Sequence, residues 1–273
     1  MSGLYERLSG TAQEIRERTG VSSHDVVAVL GSGLGGYAST MPGAVGVPYT
    51  ELGLPVPNAA GHRGIAYSVK MGGNQVLLLA GRVHAYEGQP SEVVTYSVRA
   101  AILAGASKVV LTNAAGGCGE GIEPGDLVLI TDHLNMSGIS PLMGENDERL
   151  GPRFPDMSDV YVPELRAKAH AAAQAVGQNL KEAIYFWWHG PMFETPAEVR
   201  MAQLLGAGLV GMSTVPEAIA ARHMGAAVLA ISLCTNRAAG LSGQRLSGEE
   251  VIDVANAAAP RLGKFFDQLL PSL

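Results

Sequence analysis

The chain has 273 residues and a formal net charge of −6, and it contains no run of lysine and arginine. Nucleic acid is therefore not an expected partner, because phosphate backbones are bound mainly by clustered cations. Hydrophobic residues make up 47% of the chain and charged residues 16%, with 35 glycines. This profile favours a compact enzyme with many tight turns over a disordered or fibrous protein.

The cysteines and the distribution of apolar residues indicate in which cellular compartment the protein is expected. Cys118 and Cys234 form no CxxC pair, which predicts no disulfide framework and a reducing environment. The first twenty residues alternate charged and apolar types, unlike a signal peptide, and the sequence has no apolar run long enough to span a bilayer. We therefore expect a cytoplasmic protein with no membrane partner.

Helix and strand patterns alternate along the chain. The first half predicts a helix over 2–18, a buried strand over 26–30, a hairpin turning at Gly72-Gly73, a helix over 91–105 with Ser91 as N-cap, and strands over 107–117 and 125–133. The strand over 107–117 is expected to run into a glycine turn. After it the second half predicts helices over 163–176, 195–205 and 215–224, strands over 183–188, 209–212 and 226–233, and a terminal helix after Ser247.

The stretch from Asn135 to Pro163 has no regular pattern. Irregular stretches this long are uncommon in compact domains and are usually functional or interfacial. The sequence contains no internal repeat or linker. The alternation of strands and helices predicts one α/β domain over residues 1–273, with a largely central sheet.

The segment "VLGSGLGGY" fits G-x-G-x-x-G, the pattern of a dinucleotide-binding turn. That pattern requires a helix inside a βαβ unit, and Pro42 with the following glycines leaves little room for one. Glu51 has the spacing of a ribose-binding acid, which we attribute to chance, and NAD binding is not expected. Two alternatives remain for this turn: a phosphate cradle in which Ser32 adds a donor, or a turn selected only for its backbone conformation.

Further anion-binding groups follow other strands. In "AGRVHAYEG", Arg82 and His84 are two residues apart and share a face of an extended chain. "AAGHRGIA" sets His62 between glycines, and "LTNAAGG" offers Asn113 and the backbone N–H of Ala114. One phosphate ion could collect donors from Ser32, His62, Arg82, His84 and this turn. No carboxylate accompanies the histidines at ligand spacing, so we expect no metal site.

Later segments carry groups suited to a purine. "HGPMFETPAE" places Phe193, a ring for stacking, next to the acceptor Glu194, and "LCTNRAAG" ends a strand with Thr235 and Asn236. A carboxylate accepts from a ring N–H, and an amide both donates and accepts. An alternative for Glu194 is an acid that only stabilises the N-terminus of the next helix.

Eight segments in order resemble the motif series of trimeric purine nucleoside phosphorylases: "GSGLGG", "GHRG", "GRVHAYEG", "TNAAGG", "GPRFPDMSDVY", "GPMFETPAE", "VGMSTVPEA" and "TNRAAG". The resemblance implies an α/β domain with a central mixed β-sheet flanked by helices, and a homotrimer. It assigns a phosphate site to Ser32, His62, Arg82, His84, Ala114 and Ser213, ribose contacts to Tyr86 and Met212, and a purine site to Phe193, Glu194, Val210, Thr235 and Asn236. Phe154, in the irregular stretch, matches a residue that enters the neighbouring subunit's active site.

The implied reaction is reversible phosphorolysis of purine nucleosides, with phosphate as co-substrate and with no cofactor or metal. The resemblance gives catalytic roles to Asn236 and Glu194 at the purine and to His84 at the phosphate. Related methylthioadenosine phosphorylases, which act on 6-aminopurines, carry aspartate where this chain has Asn236. The expected substrates are therefore the 6-oxopurine nucleosides inosine and guanosine.

One position departs from the family pattern. Gly248 stands where the family carries a histidine that contacts the ribose 5′-hydroxyl, so the alternative activity is phosphorolysis of 5′-modified nucleosides. Four residues near the purine motif are also unusual, and they either alter base selectivity or are ordinary packing changes: Trp187, Trp188, His189 and Met192. A nucleoside-binding protein without turnover is the rival from another class.

Overall fold

The computed structural model describes residues 3–31, 34–59, 62–243 and 245–273. Within them lie eight α-helices: α1 Leu4–Thr19, α2 Gly35–Ser39, α3 Tyr49–Leu52, α4 Ser91–Leu103, α5 Pro163–Ala175, α6 Pro196–Leu204, α7 Val215–His223 and α8 Gly248–Ser272. The same residues form nine strands: β1 Val26–Leu30, β2 Val45–Pro48, β3 Ile65–Met71, β4 Asn74–Ala80, β5 Lys108–Gly117, β6 Leu127–Asn135, β7 Leu180–Trp187, β8 Ala207–Gly211 and β9 Ala227–Arg237. The expected α/β fold with a mixed sheet flanked by helices is confirmed.

The strands form one sheet in the order β2-β3-β4-β1-β5-β8-β7-β6-β9. Strand β5 also pairs in parallel with β9, and β9 pairs with β6. Five strands (β5, β8, β7, β6 and β9) therefore close into a ring. The parallel pairing of β5 with β9 brings the carboxyl ends of these two strands together. Strand β1 runs parallel beside β5, and β4 runs parallel beside β1.

Helices cover both faces of the sheet. Helices α1, α4 and α7 pack together over one face, while α5 and α8 pack over the other. Strand β1 is fully buried, with Val27 and Val29 in the first core and Val26, Ala28 and Leu30 in the second. Coverage on both faces explains why this strand is a continuous apolar run rather than an alternating one.

Three local expectations need correction. A helix, α2, does begin at Gly35, but β2 after it pairs antiparallel with β3, so the described residues form no βαβ unit there. Glu51 lies on α3 and pairs with Arg18 at 2.9 Å, which agrees with its spacing being chance. Ser91 is the first helical residue and not the cap; Pro90 occupies the N-cap position, without a side-chain hydrogen bond.

The third correction concerns β9, which continues through Thr235 and Asn236 beyond the end expected at residue 233. Strand β5 ends at Gly117, as expected, and contains Asn113 and Ala114. The β5–β9 register shifts between Ala115 and Gly116, where Thr235 of β9 has no partner in β5.

The irregular stretch is present as expected, since residues 136–162 contain no helix or strand apart from a bridge at Tyr161. In the part of the chain that the structure describes, no helix is both long enough and apolar enough to cross a membrane.

Candidate active site

A cavity of about 470 Å³ lies at the carboxyl ends of β1, β4, β5 and β9, next to β8. Its walls include every phosphate, ribose and purine residue expected from the sequence that the structure describes: His62, Arg82, His84, Tyr86, Ala114, Phe193, Glu194, Val210, Met212, Ser213, Thr235 and Asn236. Ser32 lies outside the described residues, although its neighbour Gly31 lines the cavity.

Phe154 lies away from this cavity, on the irregular segment. Its side chain is 88% exposed, and the guanidinium of Arg153 lies 5.8 Å from its ring centroid. The structure contains one chain, so the expected contact with a neighbouring subunit stays a prediction.

Arg82 is held rigidly at the cavity wall by buried partners. Its Nε lies 2.9 Å from a carboxylate oxygen of Glu217, and its Nη1 donates to the carbonyl of Thr112. Its Nη2 is buried and has no partner among the described residues. A fixed guanidinium with one unpaired nitrogen is a ready site for an anion.

Glu217 is the residue that fixes Arg82, and it is buried in the first turn of α7. Burial raises the pKa of its carboxyl group, and the nearby Arg82 opposes that rise. The backbone of Thr214 also opposes the rise in this pKa. Glu217 therefore links the start of α7 to Arg82.

The two histidines of the cavity are neutral. The backbone N–H of Arg82 donates to Nδ1 of His62 at 3.2 Å, so the proton of the ring is on Nε2. This Nε2 is buried and unpartnered in the described part of the chain, and it offers a second donor to an anion. Burial lowers the pKa of both His62 and His84 to about 3, with repulsion from Arg82 adding to the effect.

His84 is oriented by Glu87. One carboxylate oxygen of Glu87 accepts from the backbone N–H of His84 at 2.7 Å and lies 3.3 Å from its ring Nδ1. The ring of Tyr86 stacks on His84 with a centroid distance of 4.7 Å. Gly190 makes room beside them, because a Cβ there would lie 2.5 Å from Sδ of Met212 and 3.2 Å from the ring of Tyr86.

Ser213 is presented by a strained turn. Thr214 has φ 74° and ψ −48°, and the N–H of Val215 donates to the carbonyl of Ser213 at 2.8 Å, forming a γ-turn. Such backbone conformations cost about 1–3 kcal/mol and are concentrated at ligand sites. Asn113 Nδ2 donates to Thr214 Oγ1 at 2.9 Å, and the Ser213 hydroxyl lies 3.1 Å from the same oxygen. The turn therefore joins Ser213 to the wall formed by β5.

Glu194 is a buried acid of the cavity and not the cap of α6. Thr195 and Glu198 form the capping box of that helix. Glu194 is buried and, among the described residues, forms no ion pair. Burial raises the pKa of its carboxyl group, and the charge of Glu198 adds to the rise. An acid of this kind is available to accept hydrogen bonds from a ligand.

The amide of Asn236 is held in one orientation. The Thr235 hydroxyl donates to Oδ1 of Asn236 at 3.0 Å, and Nδ2 of Asn236 donates to the carbonyl of Arg237 at 3.0 Å. A Cβ at Gly116 would lie 3.3 Å from this Nδ2 and 3.1 Å from Val210, so the glycine lets the two walls approach. One N–H and one lone pair of the amide remain for a ligand.

The unusual residues near the purine motif separate into two groups. Trp187 is fully buried in the core. Trp188, His189 and Met192 line a second cavity of about 190 Å³, which also contacts Phe193 and Glu194. Gly248, the first residue of α8, lines the main cavity, and no described atom lies within 4 Å of the position that its Cβ would take.

Three partners of the site residues had no role predicted from the sequence: Glu87, Thr214 and Glu217. The carboxylates occur three residues after His84 and four residues after Ser213. Sequence spacing could have indicated the local pair His84 and Glu87. The pairing of Glu217 with Arg82 spans 135 residues and depends on the fold.

Comparison with known proteins identifies the family. Residues 25–271 match the family model of the phosphorylase superfamily. Purine nucleoside phosphorylase from Mycobacterium tuberculosis is 49% identical over 254 residues, which cover 92% of this chain and 91% of the mycobacterial protein.

Solved structures agree with this sequence comparison. The crystal structure of isoform 2 of purine nucleoside phosphorylase from Schistosoma mansoni, in complex with cytosine and ribose-1-phosphate, superposes with a TM-score of 0.92 at 34% identity, covering 98% of this chain and 97% of that one. A Schistosoma mansoni purine nucleoside phosphorylase in complex with inosine superposes with a TM-score of 0.91 at 31% identity, covering 98% and 96%. The chain belongs to the phosphorylase superfamily and, within it, to the purine nucleoside phosphorylases.

Proposed function

We propose that the protein catalyses reversible phosphorolysis of purine nucleosides and prefers the 6-oxopurine nucleosides inosine and guanosine. The C1′–N9 bond breaks, a phosphate oxygen bonds to C1′, and the base leaves with the bonding electrons and takes up a proton. The supporting observation is that one cavity combines unpaired anion donors, on Arg82 and His62, with an aromatic ring, a buried acid and an oriented amide.

In this proposal the anion donors position phosphate as the nucleophile. The free Nη2 of Arg82, Nε2 of His62, the hydroxyl of Ser213 and the N–H groups around Ala114 contribute, together with Ser32. Because the rings of His62 and His84 are neutral, the positive charge is concentrated on Arg82. Their main contribution is orientation of the attacking anion, not proton transfer.

The base would be held by Glu194 and Asn236, with Phe193 against its face. Glu194 accepts from the ring N–H and from the group at position 2. The remaining N–H of Asn236 donates to the 6-oxo group, which takes part of the negative charge as the base leaves, and its remaining lone pair accepts from N7 when that atom takes up the proton. Loss of one such preorganised interaction typically costs about 2.7–4 kcal/mol of transition-state stabilisation. Tyr86 and Met212 would contact the ribose.

A second candidate activity rests on Gly248. Among the described residues, α8 contributes only Gly248 and the apolar Val251 to the cavity wall, so it offers no side chain there that could bind a 5′-hydroxyl. This favours tolerance of 5′-modified nucleosides such as 5′-deoxyinosine or 5′-methylthioadenosine, in addition to the main activity.

We also propose a homotrimer in which Phe154 enters a neighbour's cavity, and a cytoplasmic location. The exposed ring of Phe154 supports the first, and the two buried free cysteines are consistent with the second. Sedimentation of the protein against a Phe154→Ala variant would test the assembly.

Hypoxanthine release from inosine, with and without phosphate, tests the proposed reaction. Release that requires phosphate supports phosphorolysis, and release without phosphate would indicate hydrolysis. Tight nucleoside binding without release would instead support a binding protein. Adenosine as a competing substrate tests the 6-oxo preference.

A further inference from the structure

The 190 Å³ side cavity is separated from the candidate active site by two shared residues, Phe193 and Glu194. Its other walls include Trp188, Met136 and Met192. No role in the proposed reaction uses this space, and it differs from the main cavity in its chemistry.

The side cavity has a polar wall, to which Ser137, His189, Glu194 and Glu198 contribute, and an apolar wall that suits an aromatic ring. Trp188 packs edge-on against Phe186, with a centroid distance of 5.2 Å, which fixes the indole. Its Nε1–H is buried and has no partner among the described residues. The thioethers of Met136 and Met192 make favourable contacts with aromatic rings. An apolar protein cavity of about 150 Å³ binds benzene, so this volume is sufficient for one six-membered ring.

The position of Glu194 gives the route into this space. In the proposed function, which this inference extends, Glu194 accepts from the group at position 2 of the purine. A substituent attached to a 2-amino nitrogen would therefore pass beside Glu194 and Phe193 and reach the side cavity. We propose that the side cavity is a subsite for an aromatic group on the 2-amino nitrogen, and that N2-arylmethylguanine nucleosides are substrates. The bonds that break and form are those of the proposed reaction, and N2 is not altered.

Steady-state kinetics with guanosine and N2-benzylguanosine test the subsite. We expect the wild-type kcat/KM values for the two substrates to agree within about tenfold. Met192 is 71% exposed at the side cavity, and Met192→Trp should narrow it and lower the ratio of benzylated to plain substrate at least tenfold. Met143 is similarly exposed but lines neither cavity, so Met143→Trp is the matched control and should leave the ratio unchanged.

A binding measurement keeps this inference separate from the proposed reaction. The chain has two tryptophans, and Trp187 is fully buried. Binding of N2-benzylguanine should quench the fluorescence of Trp188, and Trp188→Phe should remove that signal.

The outcomes distinguish the two proposals. If the protein does not cleave guanosine with phosphate but binds the benzylated base with Trp188 quenching, the reaction fails and the subsite stands. A wild-type enzyme that cleaves guanosine but discriminates against N2-benzylguanosine a hundredfold would overturn the subsite. A Met192→Trp variant with an unchanged ratio would also overturn it.

Discussion

Two buried glutamates serve the candidate active site in different ways. Glu217 pairs with Arg82 and fixes the guanidinium at the cavity wall. Glu194 is also buried, but in the described chain it has no cationic partner, and it lies on the wall itself. Burial raises the pKa of both carboxyl groups, and only Glu217 has an arginine that opposes the rise. The paired acid organises the protein, whereas the unpaired acid is left for a ligand.

The largest expected effect comes from removing the ion pair between Arg82 and Glu217. Arg82→Met leaves the carboxylate of Glu217 buried without its partner, which should lower the free energy of unfolding by about 3–5 kcal/mol. Phosphate-dependent hypoxanthine release should fall at least a hundredfold. Urea unfolding and the release assay measure the two effects.

The double variant Arg82→Met/Glu217→Gln separates these effects. Its neutral amide removes the buried charge, so stability should partly recover while activity stays low. Recovery of activity together with stability would show that Arg82 only supports the fold.

Replacing the unpaired acid, Glu194, should lower activity without lowering stability. Glu194→Gln should lower kcat/KM for inosine by about 10²–10³-fold, since one preorganised acceptor is lost from the purine. Its free energy of unfolding at pH 7 should not fall, because a neutral amide replaces an acid whose ionisation is disfavoured by burial. Glu217→Gln is the matched control, and it should destabilise the protein. Equal destabilisation by both variants would remove the distinction between the two acids.

The same distinction explains how much of the site could be predicted. Arg82, His84 and Asn236 follow or end apolar strands, and their functional groups are visible in the sequence. Glu217 could not be assigned, because its role requires α7 to lie beside the segment that follows β4. Thr235 and Asn236 were expected just past a strand, but pairing of β9 with β5 extends the strand through them. Tertiary pairing overrides the local preference for turns at such residues.

The side cavity shows the same limit. Trp187 and Trp188 were equally unusual in the sequence, and strand alternation sends neighbouring side chains to opposite faces. Only the structure shows that Trp187 lies in the core and Trp188 beside Glu194.

The neutral histidines beside Arg82 make the free energy of unfolding depend on pH. The pKa of His62 is about 3 in the folded protein and about 6.5 in an unfolded chain. Between these values the unfolded state binds more protons, so the free energy of unfolding falls as the pH is lowered from about 7.

Asn in place of His62 retains an acceptor for the N–H of Arg82 but does not titrate. His62→Asn should therefore reduce the dependence of unfolding free energy on pH by about one proton between pH 6 and pH 4. Urea titrations at several pH values measure the slope. Identical slopes in the two proteins would mean that His62 keeps its ordinary pKa.

The smallest expected effect concerns the cavity wall at Gly248, where a Cβ would meet open space among the described residues. Gly248→His should place an imidazole beside the 5′ position and raise kcat/KM for inosine about two- to tenfold, the value of one hydrogen bond. It should lower the rate with 5′-methylthioinosine, because the added ring fills the space that a 5′ substituent would occupy. Gly248→Ala separates loss of the glycine from gain of the imidazole, and Ser247 caps α8 in every variant. A wild-type enzyme that already rejects 5′-deoxyinosine strongly relative to inosine would show that another residue binds the 5′-hydroxyl. The open wall would then not relax specificity at the 5′ position.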